Sequence, residues 1–240
     1  MAPWRFRTEA GMPQHIGIVA CSAEGAALCY RTICREASAA LGAHRHPEVS
    51  MHTPSLHRYV ECLDARAVEG VADLMLESAH KLARSGADFL VCPDNTIHQA
   101  FAQLAPRSPL PWLHIAQVVA REAAARGHRR IGILGTHWLV DSEVYPRALR
   151  AHGLAFVRPQ PDERAELGRL IMEELVNGIH TPAQLSYSCG VIERLKSQGC
   201  DAVILGCTEL PLILNDGNSP LPTLDSTRLL ARAALQRAIA

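Results

Sequence analysis

Gly86-Ala87-Asp88-Phe89-Leu90-Val91-Cys92 and Gly199-Cys200-Asp201-Ala202-Val203-Ile204-Leu205 share one pattern: a glycine, an aspartate two residues on, then a short unbroken apolar run. A second pair stands upstream of these, His15-Ile16-Gly17-Ile18-Val19-Ala20-Cys21 and Arg130-Ile131-Gly132-Ile133-Leu134-Gly135-Thr136. The offset is 115 residues from Gly17 to Gly132 and 113 from Asp88 to Asp201, so the chain reads as an internal duplication. Continuous apolar runs of this length, set between helical patterns, predict strands buried on both faces of a parallel sheet.

The stretches between the runs supply the helices. Val68 to Ala83 places Val71, Leu74, Met75, Ala79 and Leu82 at a helical period. Ile115 to Arg126, Leu185 to Lys196 and Ser226 to Ile239 are read the same way. Strands alternating with helices mean βαβ units. The expected fold is therefore α/β, with two pseudo-symmetric lobes, each a parallel sheet flanked by helices. Residues 1–108 are expected to form the first lobe and 109–211 the second, with 212–240 packing back on the first. The crossing is expected at Pro106-Arg107-Ser108-Pro109-Leu110-Pro111. Ligands of open parallel sheets bind beyond the carboxyl ends of the strands, so the cleft between the lobes is the expected site.

Composition narrows the chemistry. Of 240 residues 48% are hydrophobic, and 24 Lys and Arg balance 24 Asp and Glu. That balance leaves no electrostatic footprint for nucleic acid or an anionic membrane. No apolar run approaches the roughly 18 residues needed to span a bilayer, and Met1 to Gln14 carries no apolar core of an export signal. A cytoplasmic protein is expected. Lys81 and Lys196 are the only lysines, both in charged helical stretches, so a Schiff-base cofactor has no evident anchor. The eight cysteines, none in a C-x-x-C pair, are read as reduced thiols. His44, His46, His52 and His57 crowd one stretch without the spacing of a metal site, and no G-x-G-x-x-G is present. No metal or cofactor is expected. His52 or Thr53, just after Val49-Ser50-Met51, could reach the cleft.

The duplication selects the residues to examine. Six residues after Asp88 stands Asp94, and six after Asp201 stands Cys207, each just beyond a strand. Equivalent points on two lobes can face one small ligand from opposite sides, as needed to remove a proton from one face of a carbon and return one to the other. Taken singly, Cys207 also reads as a small buried hydrophobe and Asp94 as a turn or cap residue. Cys21, Cys29, Cys34, Cys62, Cys92, Cys189 and Cys200 are read as packing residues.

These motifs carry a resemblance. Leu205-Gly206-Cys207-Thr208-Glu209, Pro93-Asp94-Asn95-Thr96-Ile97-His98, Ile131-Gly132-Ile133-Leu134-Gly135-Thr136 and the tail Asp225-Ser226-Thr227 resemble the aspartate/glutamate racemase family of cofactor-independent amino-acid racemases. The resemblance implies a homodimer, a small amino-acid substrate, usually acidic, and two cysteines acting as acid and base across its α-carbon. Cys207 matches the second cysteine. Asn95, Thr96, Thr136 and Thr208 match positions that hold the substrate, and Ser22 and His52 are added as substrate-binding candidates. At the first cysteine the family pattern is usually Pro-Cys-Asn-Thr, and this chain has Pro93-Asp94-Asn95-Thr96. Cys21-Ser22-Ala23-Glu24 likewise replaces a glycine-rich turn.

Three roles for Asp94 follow: it transfers a proton, it binds the substrate ammonium, or it stands aside while Cys207 works alone. A protonated Asp94 facing a Cys207 thiolate is one workable starting state. The alternatives to racemisation are isomerisation or decarboxylation of a small carboxylic acid by one thiol, or binding without turnover.

Overall fold

The computed structural model describes residues 12–240. The reading of Met1 to Gln14 therefore lies almost wholly outside the described residues. The first sheet has the order β2-β1-β3-β4, from β1 (Ile16–Val19), β2 (Val49–His52), β3 (Phe89–Val91) and β4 (Trp112–Leu113). The second has the order β6-β5-β7-β8, from β5 (Arg130–Leu134), β6 (Ala155–Val157), β7 (Ala202–Leu205) and β8 (Thr223–Asp225). Every pairing is parallel. The repeat extends to register, since Ile16 pairs with Phe89 as Ile131 pairs with Ala202. The two repeated aspartates do the same local work. Asp88 accepts the His15 N–H at 2.7 Å and Asp201 the Arg129 N–H at 2.8 Å, each tying down the chain as it enters a central strand.

The apolar runs are continuous because both faces of each sheet are covered. On one face of both sheets lies a shared core that includes Ile16, Phe89, Ile131 and Ile204. Helices α1 (Ala23–Leu41), α5 (Ile115–Ala125), α7 (Val144–Ala151) and α10 (Ser226–Ile239) contribute to it. The outer face of the first sheet packs on α2 (Leu56–Asp64), α3 (Val68–Arg84) and α4 (Phe101–Leu104). That of the second packs on α8 (Pro161–Arg169), the wider helical turn Leu170–Glu174 that continues it, and α9 (Pro182–Ser197). The short α6 (His137–Val140) follows β5. No described helix is long and apolar enough to cross a membrane.

The lobe boundaries differ from those expected. β4 lies beyond residue 108 yet pairs with β3, and the Pro111 carbonyl accepts the Leu90 N–H at 2.8 Å. β8 lies within 212–240 yet pairs with β7. Each lobe thus completes its sheet with an edge strand before the chain leaves, because a fourth strand satisfies the outer backbone groups of the third. The proline-rich stretch leads into β4 and does not cross between lobes. From the tail only α10 returns to the first lobe, where Arg232 holds Glu36 of α1 through two bonds of 2.8 and 2.9 Å.

Candidate active site

Four strand ends converge: those of β1 and β3 from one lobe, β5 and β7 from the other. Their loops carry Cys21 and Ser22, then Asp94, Asn95 and Thr96, then Thr136, then Gly206, Cys207, Thr208 and Glu209, all lining one cavity of about 40 Å³. The structure brings seven of the eight residues singled out in the sequence to this cavity. The eighth, His52, does not line it. Its ring is turned onto α3, with Nδ1 2.9 Å from Ser78 Oγ and Nε2 accepting from Lys81 Nζ at 3.0 Å. Two partners on one helix hold the imidazole there.

Local rules place the side chains. Ser22 leaves β1 in an extended conformation and caps α1, its Oγ accepting from the Gly25 N–H at 3.3 Å. Thr136 does the same for α6, accepting from Leu139 N–H at 3.4 Å. Each capping hydroxyl also reaches across the cleft. Ser22 Oγ lies 3.0 Å from Thr208 Oγ1, and Thr136 Oγ1 lies 3.0 Å from Thr96 Oγ1. Glycine at two positions makes the approach possible. A methyl group on Gly206 would come within 2.6 Å of the Leu134 carbonyl oxygen, and one on Gly25 within 2.9 Å of Thr208 Cβ. Asn95 is fixed by α7 and the start of α10: it donates to Ser226 Oγ at 3.0 Å and accepts the Tyr145 hydroxyl at 2.5 Å.

Two residues join the site that the sequence reading left out of it. The Cys21 thiol, read as packing, stands beside the Asp94 carboxyl. Glu209, 3% exposed, accepts the Cys207 thiol at 2.8 Å and the Thr208 hydroxyl at 2.7 Å on one carboxylate oxygen. Both were reachable through the repeat. The 115-residue offset pairs Cys21 with Thr136, and the 113-residue offset pairs Glu209 with Thr96, two residues already selected.

Burial sets the protonation states. It pushes the Asp94 carboxyl up from 3.8 to about 6, helped by the charge of Glu209 and opposed by the Cys21 thiol and the backbone amides of Thr96 and Ser22. Burial, then the charge and hydrogen bond of Glu209, pushes the Cys207 thiol well above its ordinary range. At neutral pH the pair is thus a carboxylate facing a thiol. This reverses the starting state considered from the sequence, because Glu209 sits against the sulfur and a thiolate there meets a second negative charge. His98 does not touch the Asp94 carboxyl. Its Nδ1 lies 2.8 Å from the Asp94 carbonyl oxygen, and burial holds the ring neutral.

Neither lysine lines the cavity; Lys81 is bound to Glu77 and His52. No group of three or more His, Cys, Asp or Glu side chains suited to a metal ion occurs among the described residues.

A cavity built by equivalent loops of a duplicated chain is a specific signature, and residues 16–234 match the family description Asp/Glu/Hydantoin racemase. The chain belongs to that family. Its similarity to the broad specificity amino-acid racemase RacX of Bacillus subtilis is 25% identity over 169 residues, covering 69% of this chain and 71% of that one. A glutamate racemase of Pseudomonas paraeruginosa is 32% identical over 169 residues, 68% of this chain, which span only 57% of the relative's length. Among solved structures, a Yersinia pestis protein, itself a candidate Asp/Glu racemase, superposes with a TM-score of 0.86 at 28% identity, covering 95% of this chain and 100% of that one. An aspartate racemase homologue from Pyrococcus horikoshii OT3 gives 0.79 at 27% identity, over 94% and 99%. Family members of this kind are isomerases with two parallel α/β lobes, the architecture found here.

Proposed function

We propose that this racemase-family chain inverts the α-carbon of a small amino acid without a cofactor, using Asp94 and Cys207 as the two proton-transfer groups. The observation that carries this reading is their placement: they line one cavity from equivalent strand ends of opposite lobes. In one direction the Asp94 carboxylate takes the α-proton from one face, and the Cys207 thiol, turned about its Cα–Cβ and Cβ–Sγ bonds away from Glu209, gives a proton to the other. Asp94 is then protonated and Cys207 a thiolate. The opposite enantiomer meets that state and runs the step in reverse, or solvent restores the first.

The α-carbon is weakly acidic, so the negative charge that develops must be held. Substrate carboxylate set against the first-turn amides of α1, a helix of 19 residues, would be stabilised by their unpaired N–H groups and the helix dipole. One hydroxyl of the Thr96–Thr136 pair and the remaining Asn95 N–H complete the donor set. Cys21, whose thiol is itself kept neutral by burial and by Asp94, donates to the Asp94 carboxylate and orients it.

Chiral chromatography of purified protein with each enantiomer of a panel of amino acids tests the reading. Interconversion by the wild type, abolished in Cys207→Ala with an unchanged circular dichroism spectrum, is expected. Undiminished interconversion in that variant would remove Cys207 from the chemistry. Formation of a new compound in place of the mirror image would point to the one-thiol isomerase or decarboxylase.

A further inference from the structure

Beside the residues of the polar loops, the cavity is lined by six large apolar or aromatic side chains. Leu56, Val60 and Leu63 come from α2 of the first lobe, and Trp138, Met172 and Val176 from the second. Among the described residues no Lys, Arg or His side chain lines the cavity. Its polar groups are spent on one another: Ser22 on Thr208, Thr96 on Thr136, Thr208 and Cys207 on Glu209, Asn95 on Tyr145 and Ser226. Of these side chains, one hydroxyl of the Thr96–Thr136 pair and one Asn95 N–H keep a free proton, a match for a single carboxylate.

From this we infer that the substrate is an α-amino monocarboxylate with an uncharged, apolar side chain, and that α2, Trp138, Met172 and Val176 form its side-chain pocket. This rests on the racemase reading and names the substrate class of the same site. A second carboxylate, as in aspartate or glutamate, would lie against aliphatic side chains and the Trp138 ring with no Lys, Arg or His of the described residues lining the cavity, and an unpaired charge is expelled from such surroundings. Asp94 and Glu209 add to the penalty, since both are carboxyl groups within the same cavity and a dianionic ligand would face them. An aliphatic side chain loses nothing of this kind and gains by leaving water.

Size supports a modest group. The cavity holds about 40 Å³ where ligand sites commonly offer roughly 300 Å³ or more, so the two walls part to admit substrate and close again on its side chain. Met172 lies within the helical turn after α8 and Val176 just past it, both half-buried, and Met adapts readily to such a contact.

The test separates binding from turnover. Dissociation constants of wild-type protein for the enantiomers of norvaline and of aspartate are measured by ligand-observed NMR titration, and α-proton loss in heavy water is followed in the same samples. Norvaline binding about tenfold or more tighter than aspartate supports the inference, whether or not its α-proton exchanges. Norvaline that binds without exchange or inversion overturns the racemase reading and leaves the pocket assignment standing. Aspartate binding as well as norvaline or better, or binding of neither, overturns the assignment. Met172→Arg puts a cation on the apolar wall and is expected to narrow the preference at least tenfold by raising aspartate affinity; Val176→Arg serves the same end if that variant fails to fold. An unchanged ratio in a folded variant contradicts the pocket's location.

Discussion

Replacing Asp94 by asparagine is expected to stop turnover and, above pH 6, to make the protein more stable. The carboxyl titrates at about 6 where the ordinary value is 3.8, with burial the largest cause and Glu209 the next. A folded-state value raised above the unfolded one means the folded chain holds the proton more tightly. Stability from this group is thus fully present below the unfolded value and is lost as pH rises toward and through about 6. The full difference corresponds to about 3 kcal/mol at about 1.4 kcal/mol per pKa unit. Asp94 reaches the cavity solvent, and screening there lowers the expected effect to about 1–3 kcal/mol. Asparagine has nearly the same shape and does not ionise. For a chain of this length the gain at pH 7.5 is about 2 to 12 °C in melting temperature, shrinking to little at pH 4. Thermal melts of both proteins from pH 4 to 8 measure it. An advantage equal at both ends of the range, or a less stable variant at pH 7.5, would refute the account of Asp94 as a carboxylate held against its preference.

The same titration governs the rate. In the direction where Asp94 removes the proton, kcat/KM should climb about tenfold per pH unit below about 6 and level off above it. The profile from the opposite enantiomer should have the same shape, because the two competent forms carry the same number of protons and the enantiomers have equal energy; pH profiles measured from each enantiomer check this. Gly25→Ala should push on Thr208 across the cleft, since the new methyl would lie 2.9 Å from Thr208 Cβ. A loss of about 1–3 kcal/mol in urea melts and a larger fractional loss in kcat are expected, as the Ser22–Thr208 link is displaced.

Much of the fold was written in the repeats. Gly17 with Gly132 and Asp88 with Asp201 fixed the four central strands, because a doubly covered strand must be apolar throughout and leaves a run that composition alone reveals. The edge strands did not announce themselves. β4 is two residues long and β8 three, too short for alternation or an apolar run to stand out, so the boundaries at 108 and 211 missed both. In the site, Asp94 and Cys207 came from register, a property that duplication conserves and single motifs lack. Cys21 was read as a core residue because a buried thiol and a site thiol have the same apolar neighbours in sequence. Glu209 was passed over although it follows Thr208 directly. What selects it is the pairing of two donors on one oxygen, which depends on the turn after β7. His52 erred the other way: it ends a strand beside the site, but the edge position of β2 lets its ring turn onto α3. Tyr145, which fixes Asn95, lies 50 residues from it and carries no local signal.

The central claim is that two groups on opposite faces of the α-carbon share the work. Its most direct measurement is the fate of the α-hydrogen in heavy water during the first few per cent of conversion, followed by mass spectrometry of the separated enantiomers. The account predicts deuterium in the product enantiomer and protium retained in the recovered substrate, whichever enantiomer is supplied, because the group that removes the proton is not the group that returns one. Deuterium accumulating in recovered substrate at the same rate as in product, or product that keeps the substrate's own hydrogen, would contradict it and leave one group moving the proton on both faces.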